Sequence, residues 1–97
     1  MKTKKIKGPG TFDTILHTIG KNLIHLRRKK GFSSHATFAD FFDLPRVQYW
    51  RMEKGKANIT LRSLHKILQI HEVSMEDFFW KILKDRRKKH RMNGTGR

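Results

Sequence analysis

The chain has 97 residues, the length of one small domain, and a core of that size leaves little room for a deep catalytic cavity. It carries 23 Lys and Arg against 8 Asp and Glu, a formal net charge of +15, which predicts a polyanionic partner, either nucleic acid or an acidic membrane surface. The absence of cysteine excludes disulfides, thiolate nucleophiles and cysteine-ligated metals. No apolar run approaches the roughly 20 residues of a membrane span, and none follows the basic N-terminus as in a signal peptide, so we expect a cytoplasmic protein.

The positive charge is concentrated at the two ends of the chain. Residues 1–10 hold four lysines and no acid, and residues 81–97 hold 8 basic side chains and one acid. Residues 11–80 are nearly balanced and contain almost all the large apolar side chains. We therefore predict a basic N-terminal arm over residues 1–10, a folded domain over residues 11–83 and a basic C-terminal tail over residues 84–97.

Apolar periodicity predicts helices and no strand, and the first helix is the longest. Ile15, Ile19, Leu23 and Leu26 recur at steps of four, four and three, which is typical of an amphipathic helix. A run of positive charge followed by Gly31 predicts its end.

Two short helices follow, separated by a proline. Ser33 or Ser34 can cap the second helix, and Pro45 can begin the third because proline suits a first helical turn. Gly55 predicts the end of the third helix. Between the two helices the turn needs a residue that tolerates a positive φ, and Asp43 can supply it.

Two more helices complete the domain. Thr60 can cap the fourth, and Ser74 resembles the start of a capping box that opens the fifth. The fifth helix has more large apolar residues than one face can bury, and the surplus, Trp80 or Leu83, is a candidate dimer surface. The predicted fold class is a compact all-α domain of five helices.

The second and third helices with their tight turn predict a helix-turn-helix, whose second helix can lie in a DNA major groove. The segments IGKNLIHLRRKKGFSS, FADFFDL and RVQYWRMEKGKANITLRSLHKI resemble the Cro/C1-type (XRE-like) helix-turn-helix family of phage and bacterial repressors. The resemblance runs from about Ile19 to Phe79 and implies a lambda-repressor-like fold. The chain departs from the family pattern at His35, Asp43 and Pro45, where the family usually has glutamine, glycine, and serine or threonine.

The resemblance implies a recognition helix over about residues 45–54 with Arg46, Val47 and Arg51 at base edges. Gln48 can read adenine or hold a phosphate. Arginine suits guanine because its fork meets O6 and N7 together, and Val47 suits a thymine methyl group. Phosphate contacts are implied for Ser34, His35, Trp50, Lys54 and Lys56. The competing interpretation is that these cations form an ordinary solvated face.

The resemblance also pairs Glu53 with Arg27 of the first helix as a buried structural ion pair. A bidentate arginine–carboxylate contact of this kind would hold the first helix against the recognition helix. The alternative is a surface glutamate that contributes almost nothing to stability.

Enzyme classes find no support in the sequence. The six histidines show none of the spacings that bind metals, and there is no glycine-rich phosphate loop and no serine elbow. We therefore expect no catalytic residue, no metal and no cofactor.

The favoured hypothesis is a sequence-specific regulator of transcription, repressor-like, that binds double-stranded DNA as a homodimer on a palindromic operator in the nucleoid of a prokaryote. One alternative is the antitoxin of a toxin–antitoxin pair, which would have a toxin partner. Another is a cationic protein that binds RNA or a membrane surface through its basic arms.

Overall fold

The computed structural model describes residues 12–84, and the predicted basic arms lie outside the described residues except for Lys84. Residues 12–84 form five helices and no strand, which confirms the predicted all-α class. The helices are α1 (Phe12–Lys29), α2 (His35–Phe41), α3 (Arg46–Glu53), α4 (Leu61–Ile70) and α5 (75–84). None of these helices is long and apolar enough to cross a membrane.

The described chain divides after Ile59 into two units. The first contains α1, α2 and α3, and the second contains α4 and α5. The domain boundaries expected near residues 10 and 84 stay predictions.

Helix α1 ends in a Schellman motif built on a glycine. Gly31 has a φ of 102°, a value that only glycine adopts without strain. This turn lets the amide of Phe32 donate to the carbonyl of Arg27 at 3.1 Å and the amide of Gly31 donate to that of Arg28 at 2.9 Å. These bonds end α1, and the cap of α2 follows at Ser34.

Helix α2 and helix α3 are joined by a turn of four residues. Ser34 caps α2, since its Oγ accepts from the amides of Ala36 and Thr37. In the turn, Asp43 takes a φ of 58°, as its place in the sequence predicts. The amide of Leu44 then donates to the carbonyl of Ala39 at 2.8 Å, and Pro45 stands at the N-cap of α3.

The apolar face of α1 is rotated slightly from the one that the sequence predicts. Leu16 is buried in place of Ile15, and Arg27 is buried in place of Leu26, while Ile15 and Leu26 are partly buried at the edges of the face. The buried apolar side chains of the first unit are Leu16, Ile19, Leu23, Phe38, Ala39, Leu44, Tyr49 and Met52.

Both helices of the second unit begin at the hydroxyl caps that the sequence predicts. Thr60 Oγ1 accepts from the amide of Ser63, and Ser74 Oγ accepts from the amide of Asp77, each at 3.0 Å. The buried side chains here are Leu64, Ile67, Leu68, Phe78 and Ile82. On the outside of α5, Trp80 and Leu83 are 57% and 52% exposed.

Candidate nucleic-acid interface

Helix α3 has one buried face and one exposed face. Tyr49, Met52 and Glu53 point inward and are at most 5% exposed. The outward side chains are the four that the sequence places at base edges, namely Arg46, Val47, Gln48 and Arg51. The exposed face therefore carries two guanidinium groups, an amide and an apolar branch on a single short helix.

A buried ion pair ties α3 to α1. Arg27 Nε donates to Glu53 Oε2 at 2.8 Å, and Arg27 Nη2 donates to Glu53 Oε1 at 3.1 Å. The third nitrogen, Nη1, donates to the carbonyl of Phe32 at 3.0 Å. The hydrogen bond to Glu53 raises the pKa of Arg27, so the guanidinium keeps its charge although its side chain is only 6% exposed.

Tyr49 lies beside this ion pair in the core. Its side chain is 1% exposed and packs on Phe38 with a ring-centroid separation of 5.1 Å. Burial raises the pKa of the phenol because it disfavours the charged phenolate. The neighbouring Glu53 carboxylate raises the pKa further because a second negative charge beside it is unfavourable. The phenol is therefore protonated well above its ordinary range.

Gly20 lets α1 and α3 come into backbone contact, and the sequence interpretation missed it. An added Cβ at Gly20 would meet the carbonyl oxygen of Glu53 and would lie 2.8 Å from that of Met52. Its signal was a glycine inside an otherwise helical pattern, which often marks close packing.

Arg46, the first residue of α3, is held by a carboxylate of α2. Its Nη2 donates to Asp40 Oδ2 at 2.6 Å and its Nε donates to Asp40 Oδ1 at 3.3 Å. Both side chains remain more than half exposed, at 59% and 57%. The hydrogen bond to Asp40 raises the pKa of Arg46. The sequence interpretation did not identify Asp40.

Arg51 is held differently, from the C-terminal end of its own helix. Its Nη2 donates to the backbone carbonyl of Lys56 at 2.7 Å, just beyond Gly55. Gly55 has a φ of 70°, which allows the chain to leave α3 in the direction that brings this carbonyl to Arg51. The two arginines of the exposed face thus have separate anchors.

The start of α2 and the first five residues of α3 form a surface pocket of about 200 Å³. It is lined by His35, Arg46, Val47 and Trp50. The rings of His35 and Trp50 have centroids 6.3 Å apart, and Lys54 Nζ lies 6.0 Å from the centroid of the Trp50 ring. The structure therefore brings together two residues expected at base edges and three expected at phosphates.

Two of the remaining site residues sit at the edges of this surface. Ser34 uses its oxygen as the cap of α2, which leaves only its hydroxyl proton for a phosphate. Lys56 follows α3 and is exposed. Among residues 12–84, no three histidine or acidic side chains are grouped closely enough to hold a metal ion.

Comparison with known proteins places this arrangement in a regulatory class. The chain is 35% identical over 66 residues to Control protein C.MunI of Mycoplasma sp, a match that covers 68% of this chain and 89% of that protein. No profile of a protein family matches the chain, and no solved structure matches it. On the identity and coverage of that match, the chain belongs to the family of control proteins, which are small DNA-binding regulators of transcription.

Proposed function

We propose that this protein is a sequence-specific regulator that binds double-stranded DNA with α3 in the major groove and represses transcription by occupying its operator. The observation that carries this proposal is the division of α3 into two faces. The inward face is fixed to α1 by a buried ion pair, while Arg46, Val47, Gln48 and Arg51 all point outward. A recognition helix must be held rigidly by the rest of the domain, and it must carry side chains that can reach base edges.

The chemistry of the exposed face suits base recognition. Arg46 and Arg51 can each contact O6 and N7 of a guanine, and Gln48 can pair with N6 and N7 of an adenine. Val47 is 70% exposed and lines the surface pocket, where it can receive the methyl group of a thymine.

Phosphate contacts would come from both sides of this face. Ser34 and His35 lie at the beginning of α2, on one side of the exposed face of α3. Trp50, Lys54 and Lys56 lie along and beyond α3. Such contacts supply affinity and position, and they carry no sequence information.

We further propose that the protein acts as a homodimer on a palindromic operator. Trp80 and Leu83 expose large apolar surfaces on α5, and a twofold contact through them would bury these surfaces. A palindromic operator for such a dimer would have two half-sites one turn of DNA apart.

Selection of bound duplexes from a random pool tests the proposal. We expect one preferred sequence with twofold symmetry. With the selected duplex, log K should fall with log salt at a slope of about −5 to −7 if six to eight phosphates are neutralised. Arg46→Ala should then reduce discrimination among related duplexes by about 1–3 kcal/mol at one position.

Lys54→Ala is the matched control, since it removes a cation of the same surface that contacts phosphate rather than a base. It should weaken binding to every duplex alike and lower the salt slope by about 1. A pool that yields no preferred sequence would contradict the proposal, and so would an Arg46→Ala variant that still discriminates like the parent protein.

A further inference from the structure

We propose that Asp40 is a specificity-determining residue, which positions Arg46 so that its guanidinium approaches guanine edge-on. This inference rests on the proposed function and assigns a role to a residue of α2 that the helix-turn-helix resemblance does not mark. It is carried by the paired hydrogen bonds between the Asp40 carboxylate and Arg46.

Asp40 contacts one edge of the Arg46 guanidinium and leaves another edge available to bind a base. The carboxylate accepts from Nε and from one N–H of Nη2, which form the side edge of the planar group. The terminal edge, formed by Nη1 and Nη2, keeps two parallel N–H groups. That pair has the spacing that matches O6 and N7 of guanine, so Arg46 can hold Asp40 and a guanine at once.

The location of the pair makes this arrangement useful for recognition. Arg46 is the first residue of α3, and the early residues of a recognition helix reach deepest into the groove. A free arginine side chain loses rotamer entropy when it is fixed in one geometry. Asp40 imposes part of that restriction before DNA arrives, so less binding energy is lost when the base contact forms.

The negative charge of Asp40 also acts against wrong partners. The pair is exposed on both sides, so it contributes little to the stability of the free protein. Close to DNA, however, the Asp40 carboxylate is repelled by the phosphates. Only a favourable contact between Arg46 and a guanine compensates for this repulsion. Asp40 should therefore lower affinity for unrelated DNA more than affinity for the operator.

The test measures binding of the full chain to its selected operator, to the same duplex with 7-deazaguanine at each guanine in turn, and to an unrelated duplex. 7-Deazaguanine lacks N7. The base replacement that weakens binding of the parent protein, but not binding of the Arg46→Ala variant, therefore identifies the guanine that Arg46 contacts. Asp40→Ala should lose about tenfold in discrimination at that position, while its affinity for the unrelated duplex does not fall. Asp40→Asn keeps one acceptor oxygen and should lose less.

Two controls separate positioning from other effects. Asp13→Ala removes an equal charge from the exposed first turn of α1 and should leave discrimination unchanged. In the Arg46→Ala background, Asp40→Ala should have no further effect on discrimination, because Asp40 acts through Arg46. A thermal melt of each variant checks that the fold is retained.

The outcomes distinguish this inference from the proposed function. If the random pool gives no preferred sequence, the proposed function itself fails. If a sequence is preferred but Asp40→Ala discriminates like the parent, or changes discrimination equally without Arg46, the positioning role is overturned and the proposed function stands. Recognition that depends on no guanine at the Arg46 position also overturns the inference alone.

Discussion

A buried charge is stable only while its partner stays in place, and Glu53 is the partner of Arg27. The guanidinium makes hydrogen bonds from three nitrogens, two of them to the Glu53 carboxylate. Such a pair need not contribute more to stability than a well-packed apolar pair would, yet breaking it is costly because one ion is left in the core. Its structural value is that it fixes the end of α3 to the end of α1.

We predict that Glu53→Ala lowers the free energy of unfolding by about 3–5 kcal/mol, because it leaves Arg27 charged, buried and without its carboxylate. Chemical denaturation measures this loss. Glu76→Ala removes an exposed glutamate from the first turn of α5 and should change stability by less than about 0.5 kcal/mol. Equal denaturation midpoints for Glu53→Ala and the parent protein would show that the ion pair does not stabilise the fold.

At the scale of the helices, α1 and α3 approach so closely that only glycine fits between them at residue 20. The carbonyl groups of Met52 and Glu53 occupy the space where a side chain would begin. Backbone atoms at a helix end cannot move aside as the tip of a flexible side chain can. The position of α3 on the first unit is therefore set by a backbone contact as well as by the ion pair.

Gly20→Ala tests this contact. Alanine inside a helix ordinarily stabilises by about 0.5–1 kcal/mol relative to glycine. Here we expect the opposite sign, a loss of about 1–3 kcal/mol, since the added methyl group forces α3 away from α1. Lys21→Ala, at the exposed neighbouring position, is the control and should be nearly neutral in the same denaturation experiment.

Much of each helix could be predicted from the sequence because the deciding interactions are local. Ser34 and Thr60 cap the helices that follow them, and Gly31 and Asp43 adopt the positive φ values that their turns require. Each of these features depends on residues no more than five positions away. A short window of sequence therefore contains all the physical information that determines it.

Contacts between helices could not be predicted in the same way. Nothing in the sequence around Asp40 indicates that its carboxylate meets Arg46, because that contact depends on how the turn directs α3 against α2. Gly20 likewise meets residues more than thirty positions away. The resemblance implied the pairing of Arg27 with Glu53, which periodicity alone could not have identified.

For the whole molecule, Tyr49 connects folding to alkaline pH. It is the single tyrosine of the chain, and burial holds its pKa far above the ordinary value of about 10. Above pH 10 the unfolded chain releases a phenolic proton that the folded chain retains, so the free energy of unfolding falls as pH rises. Below pH 10 the phenol is protonated in both states, and its contribution is fully present.

We predict that the parent protein loses up to about 1.4 kcal/mol of stability per pH unit above pH 10, relative to Tyr49→Phe. The comparison cancels the titration of the lysines, which the two proteins share. Denaturation at several alkaline pH values measures the difference, and absorbance at 295 nm should show tyrosinate only as the protein unfolds. A phenol that ionises near pH 10 in the folded protein would refute the prediction.

The separation of α3 into a mounting face and an outward face has a consequence for how proteins of this design can diverge. Tyr49, Met52 and Glu53 hold α3 in place through buried contacts, whereas the four outward side chains are exposed, and those of Arg46 and Arg51 make surface hydrogen bonds. Under the proposed function, substitutions at these exposed positions change the preferred DNA sequence while the buried contacts stay intact. A change of target would then require new side chains only at exposed positions, and none of the buried residues that hold α3 against α1 would have to change.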